Sequence, residues 1–146
     1  MFILPGGIAE VFASTPGKHK IVFKKRRGLI KLAIETGTQI IPCYVFGATY
    51  FFYNLATTES WVSQLSRKMR IGVTMFIGQF GLPIPFAPRV TMCFGEPLEV
   101  RVWTGEGAIP EELIETLHRE YMEGIKEVFD KYKEAAGYRD AVLEIQ

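Results

Sequence analysis

The chain reads as one α/β domain of 146 residues, long enough to bury a core of its own. Three observations predict that class. A strand-like, a helix-like and again a strand-like segment follow one another between residues 19 and 46, the order of a βαβ unit. Two long uncharged windows, Thr36 to Thr58 and Ile71 to Pro88, are too broken by glycine and proline to be long helices. One extended amphipathic stripe then occupies the last third of the chain.

Taken in order, Met1 to Leu4 reads as the end of a strand, and Pro5-Gly6-Gly7 as a turn with Glu10 just behind it. His19 to Lys24 alternates around Ile21 and Phe23, which predicts a short strand. The basic run Lys24-Lys25-Arg26-Arg27-Gly28 follows. From Gly28 to Thr36, Leu29, Ile30, Ala33 and Ile34 form a helical stripe, and Gly37 is the expected C-cap. Gln39 to Phe46 is almost continuously apolar, carries Pro42 and stops at Gly47; such a run predicts a buried parallel strand. Glu59 to Arg70 reads as a helix with Trp61, Val62 and Leu65 inward. Arg89 to Phe94 reads as a strand closed by Gly95-Glu96-Pro97, with Leu98 to Trp103 as its continuation. The last element starts with Pro110 at the first helical position and Glu111-Glu112 in the first turn, both favourable there. Leu113, Leu117, Tyr121, Ile125, Val128 and Tyr132 mark its inner face until Gly137. No repeat, low-complexity tract or interdomain linker is present.

A formal net charge of +1 conceals an asymmetry. Up to residue 95 eleven Lys or Arg face three acids, and from Gly105 onward the balance reverses. Lys18, Lys20, Lys24, Lys25, Arg26, Arg27 and Lys31 fall in a stretch, Val11 to Ile34, without a single acid. Such a block suits phosphates of a nucleotide-like ligand or a lipid surface; the alternative is a solvated basic edge. A nucleic-acid module is disfavoured, because the cluster lacks an RNA-binding signature and neighbours the uncharged windows. Those windows, flanked by basic residues and rich in Phe and Tyr, fit a protein lying in a membrane interface without spanning it. Tyr50-Phe51-Phe52-Tyr53 is the first candidate for contact, with ordinary core packing as its alternative. Cys43 and Cys93 have no metal-ligand spacing and read as buried thiols of a reducing compartment. No signal peptide is recognisable at Met1 to Leu4.

Candidate chemistry is sparse. A glycine turn lets backbone N–H groups crowd around an anion or a polarised oxygen, and the basic cluster supplies fixed positive charge. The two histidines offer little as a base. His19 lies between Lys18 and Lys20, which disfavour its protonated form. His118 with Glu123 five positions on loosely mimics a His-x4-Asp pair, but on a helix these positions diverge, so an ordinary helix-surface histidine is expected. No Gly-x-Ser-x-Gly elbow, Walker-type loop, Gly-x-Gly-x-x-Gly or Cys-x-x-Cys occurs.

An ordered series of motifs nevertheless resembles the type-2 diacylglycerol acyltransferase family, which includes monoacylglycerol and wax-alcohol acyltransferases. The series comprises Gly6-Gly7 with Glu10, Arg27-Gly28-Leu29-Ile30-Lys31-Leu32-Ala33, Gly37, Ile41-Pro42 and Phe46-Gly47. It continues through Phe80-Gly81-Leu82-Pro83-Ile84-Pro85-Phe86, similar to the plant and algal branch, and Gly95-Glu96-Pro97. It ends in Leu117-His118 with Tyr121, Glu123 and Phe129-Asp130-Lys131-Tyr132-Lys133, and so covers nearly the whole chain.

The resemblance implies acyl transfer from acyl-CoA to a diacylglycerol-type hydroxyl in triacylglycerol synthesis, without cofactor or metal. It implies an α/β, glycerolipid-acyltransferase-like fold with a mainly parallel sheet and a long C-terminal helix. The family's base is a histidine in a His-Pro-His-Gly tetrapeptide that precedes the glycine turn. Residues 1–146 are therefore expected to be the C-terminal part of a single acyltransferase domain, inactive alone. Gly6, Gly7 and Glu10 match the substrate-side loop, whose N–H groups could hold a phosphate or the charged carbonyl oxygen. Arg27 matches a basic residue that could pair with CoA phosphate, or form a surface ion pair. Pro42 would shape the site. The implied location is the cytosolic face of the endoplasmic reticulum membrane, or a lipid droplet. The alternative is a non-catalytic peripheral lipid-binding remnant of the same fold. Nothing in the sequence addresses oligomeric state.

Overall fold

Short strands tie distant parts of the chain together. The structure is a computed structural model and describes residues 3–7, 10, 15–54 and 76–146. It divides into two units built from interleaved stretches: Met1–Lys24, Phe46–Thr91 and Asp140–Gln146 in the first, Lys25–Val45 and Met92–Arg139 in the second.

In the first unit, β1 (His19–Ile21) pairs in parallel with β6 (Leu143–Ile145), His19 opposite Leu143 and Ile21 opposite Ile145. The predicted alternation is present: His19, Ile21 and Phe23 are buried, while Lys20 turns outward to Glu144 at 2.8 Å. The strand stops at Ile21, but its direction is held by Gln146, whose carbonyl accepts from the N–H groups of Phe23 and Lys24 at 2.9 and 2.8 Å. Ile3 and Leu4 carry no strand, contrary to expectation. A 3-10 turn, Ala48–Tyr50, leads to β3 (Tyr53–Asn54), which pairs antiparallel with β4 (Phe76–Ile77). A second 3-10 turn, Gln79–Gly81, contains Phe80 at φ 57. The left-handed region is sterically unfavourable for a bulky residue, so this position carries backbone strain. The predicted helix Glu59 to Arg70 lies outside the described residues.

In the second unit, α1 (Gly28–Thr36) has the predicted bounds and buries Ile30, Ala33 and Ile34. Gly37 ends it at φ 64, the left-handed conformation that glycine adopts without a Cβ penalty. The long helix α2 (Glu111–Tyr132) packs on α1. Pro110 stands at the N-cap, one position earlier than expected, and its carbonyl accepts from the N–H groups of Leu113 and Ile114 at 3.1 and 3.3 Å. The buried stripe of α2 is wider than the sequence reading: Ile114, Leu117, His118, Tyr121, Ile125, Val128 and Phe129. Each large apolar side chain there contributes roughly 1.5–3 kcal/mol of burial.

Strand β2 (Cys43–Phe46) is the neighbour of β5 (Thr91–Phe94). Beyond their ends, Gly95 N–H donates to the Pro42 carbonyl and Leu98 N–H to Ile40, each at 2.8 Å, and Ile40 bridges Leu98 in antiparallel sense. Leu98 to Trp103 is otherwise not a strand; Trp103 N–H caps the Ile34 carbonyl at 3.1 Å. The expected mainly parallel sheet is thus seen only in part. Among the described residues the sheets are two-stranded, with β1–β6 parallel and β3–β4 antiparallel. The continuous apolar run Gln39 to Phe46 suggested a strand covered on both faces. Instead burial alternates along it, and Ile41 stays half exposed, so among the described residues one face lacks a covering layer.

Candidate functional site

The glycine turn brings together three of the four predicted site residues. Gly6 is buried, Gly7 adopts φ 52, and Glu10 folds its carboxylate over Gly6 so closely that a side chain on Gly6 would displace it. The backbone bonds of the turn are long, Gly7 N–H to Leu4 at 3.3 Å and Glu10 N–H to Gly6 at 3.4 Å. The carboxylate occupies the approach to Gly6, so an incoming phosphate has to displace it, whereas a hydroxyl can donate to it.

Arg27, in the second unit, immediately precedes α1. Its guanidinium binds Glu111 and, at 3.2 Å, Glu115. Those carboxylates stand four residues apart on the first turns of α2, so a planar guanidinium can hold both. Lys25, Arg26 and Lys31 of the same unit are exposed and make no ion pair with a described residue. The fork on Arg27 was not legible from its neighbours in sequence, because both acids come from the far end of the chain.

Both histidines are buried, each about 5% exposed. His19 stands edge-on to the Phe46 ring at 6.1 Å, and burial lowers its pKa below the ordinary value. The direction agrees with the sequence reading, but the cause is desolvation and not the flanking lysines. His118 is not the helix-surface residue expected: it lies inside the wide stripe of α2, one turn from Ile114 and three residues from Tyr121. Glu123 points away to the exposed side, so the two do not form a pair.

A pocket of about 330 Å³ opens in the second unit between α2 and the Phe94–Leu98 segment. Pro42, Gly95, Gly124 and Val128 are among its lining residues. A Cβ on Gly124 would stand 2.8 Å from Pro42, and one on Gly95 2.7 Å from Val128. Glu96, Glu120, Glu123, Glu127 and Lys131 also line it. Four carboxylates against one ammonium disfavour a phosphate-bearing ligand there and favour a neutral or cationic group. The spacing Glu120, Glu123, Glu127 places these acids on one helical face and is visible in the sequence.

Cys43 and Cys93 are free thiols on neighbouring strands; Cys93 is buried and Cys43 half-buried. Burial pushes both pKa values up, and a charge on Cys93 adds to the effect at Cys43. Such thiols are weak nucleophiles. Among the described residues no group of three or more His, Cys, Asp or Glu is placed to hold a metal.

The family model described as diacylglycerol acyltransferase matches residues 1–146. The chain is 28% identical to diacylglycerol O-acyltransferase 2 of Danio rerio, covering 95% of this chain and 41% of that protein. It is 27% identical to diacylglycerol O-acyltransferase 2A of Umbelopsis ramanniana, covering 99% and 43%. With human 2-acylglycerol O-acyltransferase 3 the identity is 32%, over 92% of this chain and 42% of that protein. The chain thus spans about two fifths of the length of the curated relatives it matches. No solved structure matches it.

Proposed function

Since the chain belongs to the diacylglycerol acyltransferase family, we propose that it is the C-terminal part of an acyl-CoA-dependent O-acyltransferase of triacylglycerol synthesis. The observation that carries this reading is the family match over the whole chain, joined to relatives named for transfer to diacylglycerol and 2-acylglycerol. In the reaction, the acceptor hydroxyl oxygen attacks the thioester carbonyl. A C–O bond forms, the C–S bond breaks, and the hydroxyl proton ends on the CoA thiol. The glycine turn forms part of the acceptor side of the site, with the Glu10 carboxylate folded over Gly6. Glu10, next to it, accepts a hydrogen bond from an alcohol and so selects a hydroxyl over an anion at that point. Lys25 and Arg26 meet CoA phosphates; Arg27 joins them only if its fork with Glu111 and Glu115 opens.

Neither histidine here serves as the base, because both are buried in the fold. The base is the histidine of the family's tetrapeptide, outside residues 1–146. Removing such a base costs on the order of 10² to 10⁴ in rate, so residues 1–146 alone are expected to form no ester. The site of action is the cytosolic face of the endoplasmic reticulum or a lipid-droplet surface.

A chimera tests the reading. Residues 1–146 replace the matching C-terminal part of the Danio rerio relative, and esterification of diacylglycerol with labelled acyl-CoA is measured in cells lacking triacylglycerol synthesis. Ester formation that Gly6→Val or Gly7→Val abolishes, at unchanged abundance, is the expected result. A stable chimera that forms no ester would instead favour the non-catalytic lipid-binding remnant.

A further inference from the structure

We propose that the loop Gly78–Phe86 is a wedge that inserts into the acyl layer of a phospholipid bilayer, with Phe80 at its tip. The loop is closed by its own backbone: Gly78 N–H donates to Leu82 and Gln79 N–H to Ile84, each at 2.8 Å, and Leu82 N–H returns to Gln79 at 3.0 Å. The Gln79 side-chain amide locks the far side on the Pro85 carbonyl at 2.9 Å. Gly78 is required by this closure, since a Cβ there would collide with the Ile84 carbonyl.

What this frame displays is unusual for a water-facing surface. Phe80 is 90% exposed, Leu82 51% and Ile84 44%. Phe80 is also held in the left-handed conformation, so the fold stores backbone strain at the residue that it presents to solvent. Nothing in the first unit's described packing rewards that arrangement. Strain kept at an exposed aromatic tip points to a partner for the ring.

The surroundings specify the partner. No charged residue occurs from Ile71 to Pro88, so the tip offers no polar rim such as a protein partner uses. At the base of the loop, Phe86 N–H donates to the Phe51 carbonyl at 2.9 Å, and the Phe86 ring meets Tyr53 edge-on at 5.5 Å. Tyr53 is itself exposed. Exposed Arg89 follows, its main chain set against Gly47, and a Cβ on Gly17, next to exposed Lys18, would stand 3.5 Å from the Tyr50 hydroxyl. Apolar tip, aromatic collar and cationic base are the order of acyl chains, interface and phosphate headgroups. No helix among the described residues is long and apolar enough to cross a membrane.

The inference shares with the proposed function only the supposition of a membrane surface, and it names the segment that meets it. The test is flotation of the 146-residue chain with vesicles of phosphatidylcholine and phosphatidylserine, at low salt and on the order of 0.5 M salt, where headgroup attraction is screened. Phe80→Asn keeps a residue tolerant of positive φ and removes the ring. Its partitioning at high salt is expected to fall on the order of tenfold, with a thermal midpoint equal to or above the parent's. Lys18→Ser with Arg89→Ser should weaken binding at low salt only. Unchanged flotation of Phe80→Asn overturns the proposal. A midpoint that drops as for a core deletion does so too, since the ring would then pack within the protein. If Phe80→Asn abolishes self-association measured by sedimentation without lipid, the occupant is a second copy and the proposal fails. Should the parent not float at all, the supposition of a membrane surface falls as well; the chimera assay tells separately whether acyl transfer stands.

Discussion

His19 couples the stability of the first unit to pH. Its folded-state pKa lies below the ordinary value near 6.5, because burial beside Phe46 penalises the imidazolium. The unfolded chain therefore binds the proton more readily. The stabilisation is complete above the ordinary pKa and is lost as pH falls through the folded value. Urea midpoints should decline from about pH 7.5 to about pH 5, and His19→Gln should flatten that decline. Glu144 acts in a lower window. Its carboxyl is held below the usual range, first by the Lys20 ammonium and then by Gln146, so its contribution disappears only as carboxylates protonate. Arg27 tests two roles at once. Arg27 is 36% exposed and both carboxylates of its fork 59%, so Arg27→Ala should cost less than about 1 kcal/mol in chemical denaturation. In the active chimera the same substitution should raise the KM for acyl-CoA if the guanidinium also meets phosphate, and leave kcat nearly unchanged. At this scale the sequence was informative about type and poor about pairing. Gly6, Gly7 and Glu10 meet because they are close in the chain; Arg27 and its acids meet only through the packing of two helices.

The first helix and the start of the second were the most legible elements, whereas α2 stops at Tyr132, short of the Gly137 that the pattern suggested. Leu29 to Ile34 supplied the stripe and Gly37 the stop, and α1 has those bounds. Gly37→Ala should lower stability by about 1–2 kcal/mol, since φ 64 is costly with a Cβ and Val102 already occupies the space that atom needs. A shift in the denaturant midpoint of the purified chain measures it. The long helix was placed within a residue at its start, yet its inner face was drawn too narrow. His118 was left outside because a polar residue beside Leu117 suggests water, while position 118 falls one turn from Ile114 and joins the buried stripe by geometry alone. Gly124 shows the opposite conflict. A mid-helix glycine costs about 1 kcal/mol in propensity, and it is tolerated where Pro42 crowds the helix at 2.8 Å from the missing Cβ. The strands were less legible. An apolar run states that a segment is hydrophobic, but not which neighbour it pairs with or how many faces are covered.

For the whole molecule, the interleaving of the two units was hidden from sequence, since each unit joins stretches that lie far apart in the chain. Long-range pairing decides such boundaries, and local pattern does not encode it. The first unit depends on residues 140–146, because β6 is the partner of β1 and the Gln146 carbonyl caps Phe23 and Lys24. Deleting residues 140–146 should strip hydrogen-exchange protection from the amides of residues 19–24. Amides of α1 and α2, in the second unit, should change far less. Equal loss in both units would show that they do not open separately.

The β1–β6 ladder also imposes an order on biosynthesis. Leu143 is synthesised 124 residues after His19, so β1 waits for all of that intervening chain before its partner exists. At about 5–20 residues per second that wait lasts several seconds at least, far longer than a hairpin needs to close. During it, the nascent first unit carries an unpaired parallel edge, and the lysine-rich stretch that follows β1 repels neighbouring copies. The basic block is therefore expected to act as a guard on the nascent chain until synthesis releases the strand that completes the ladder.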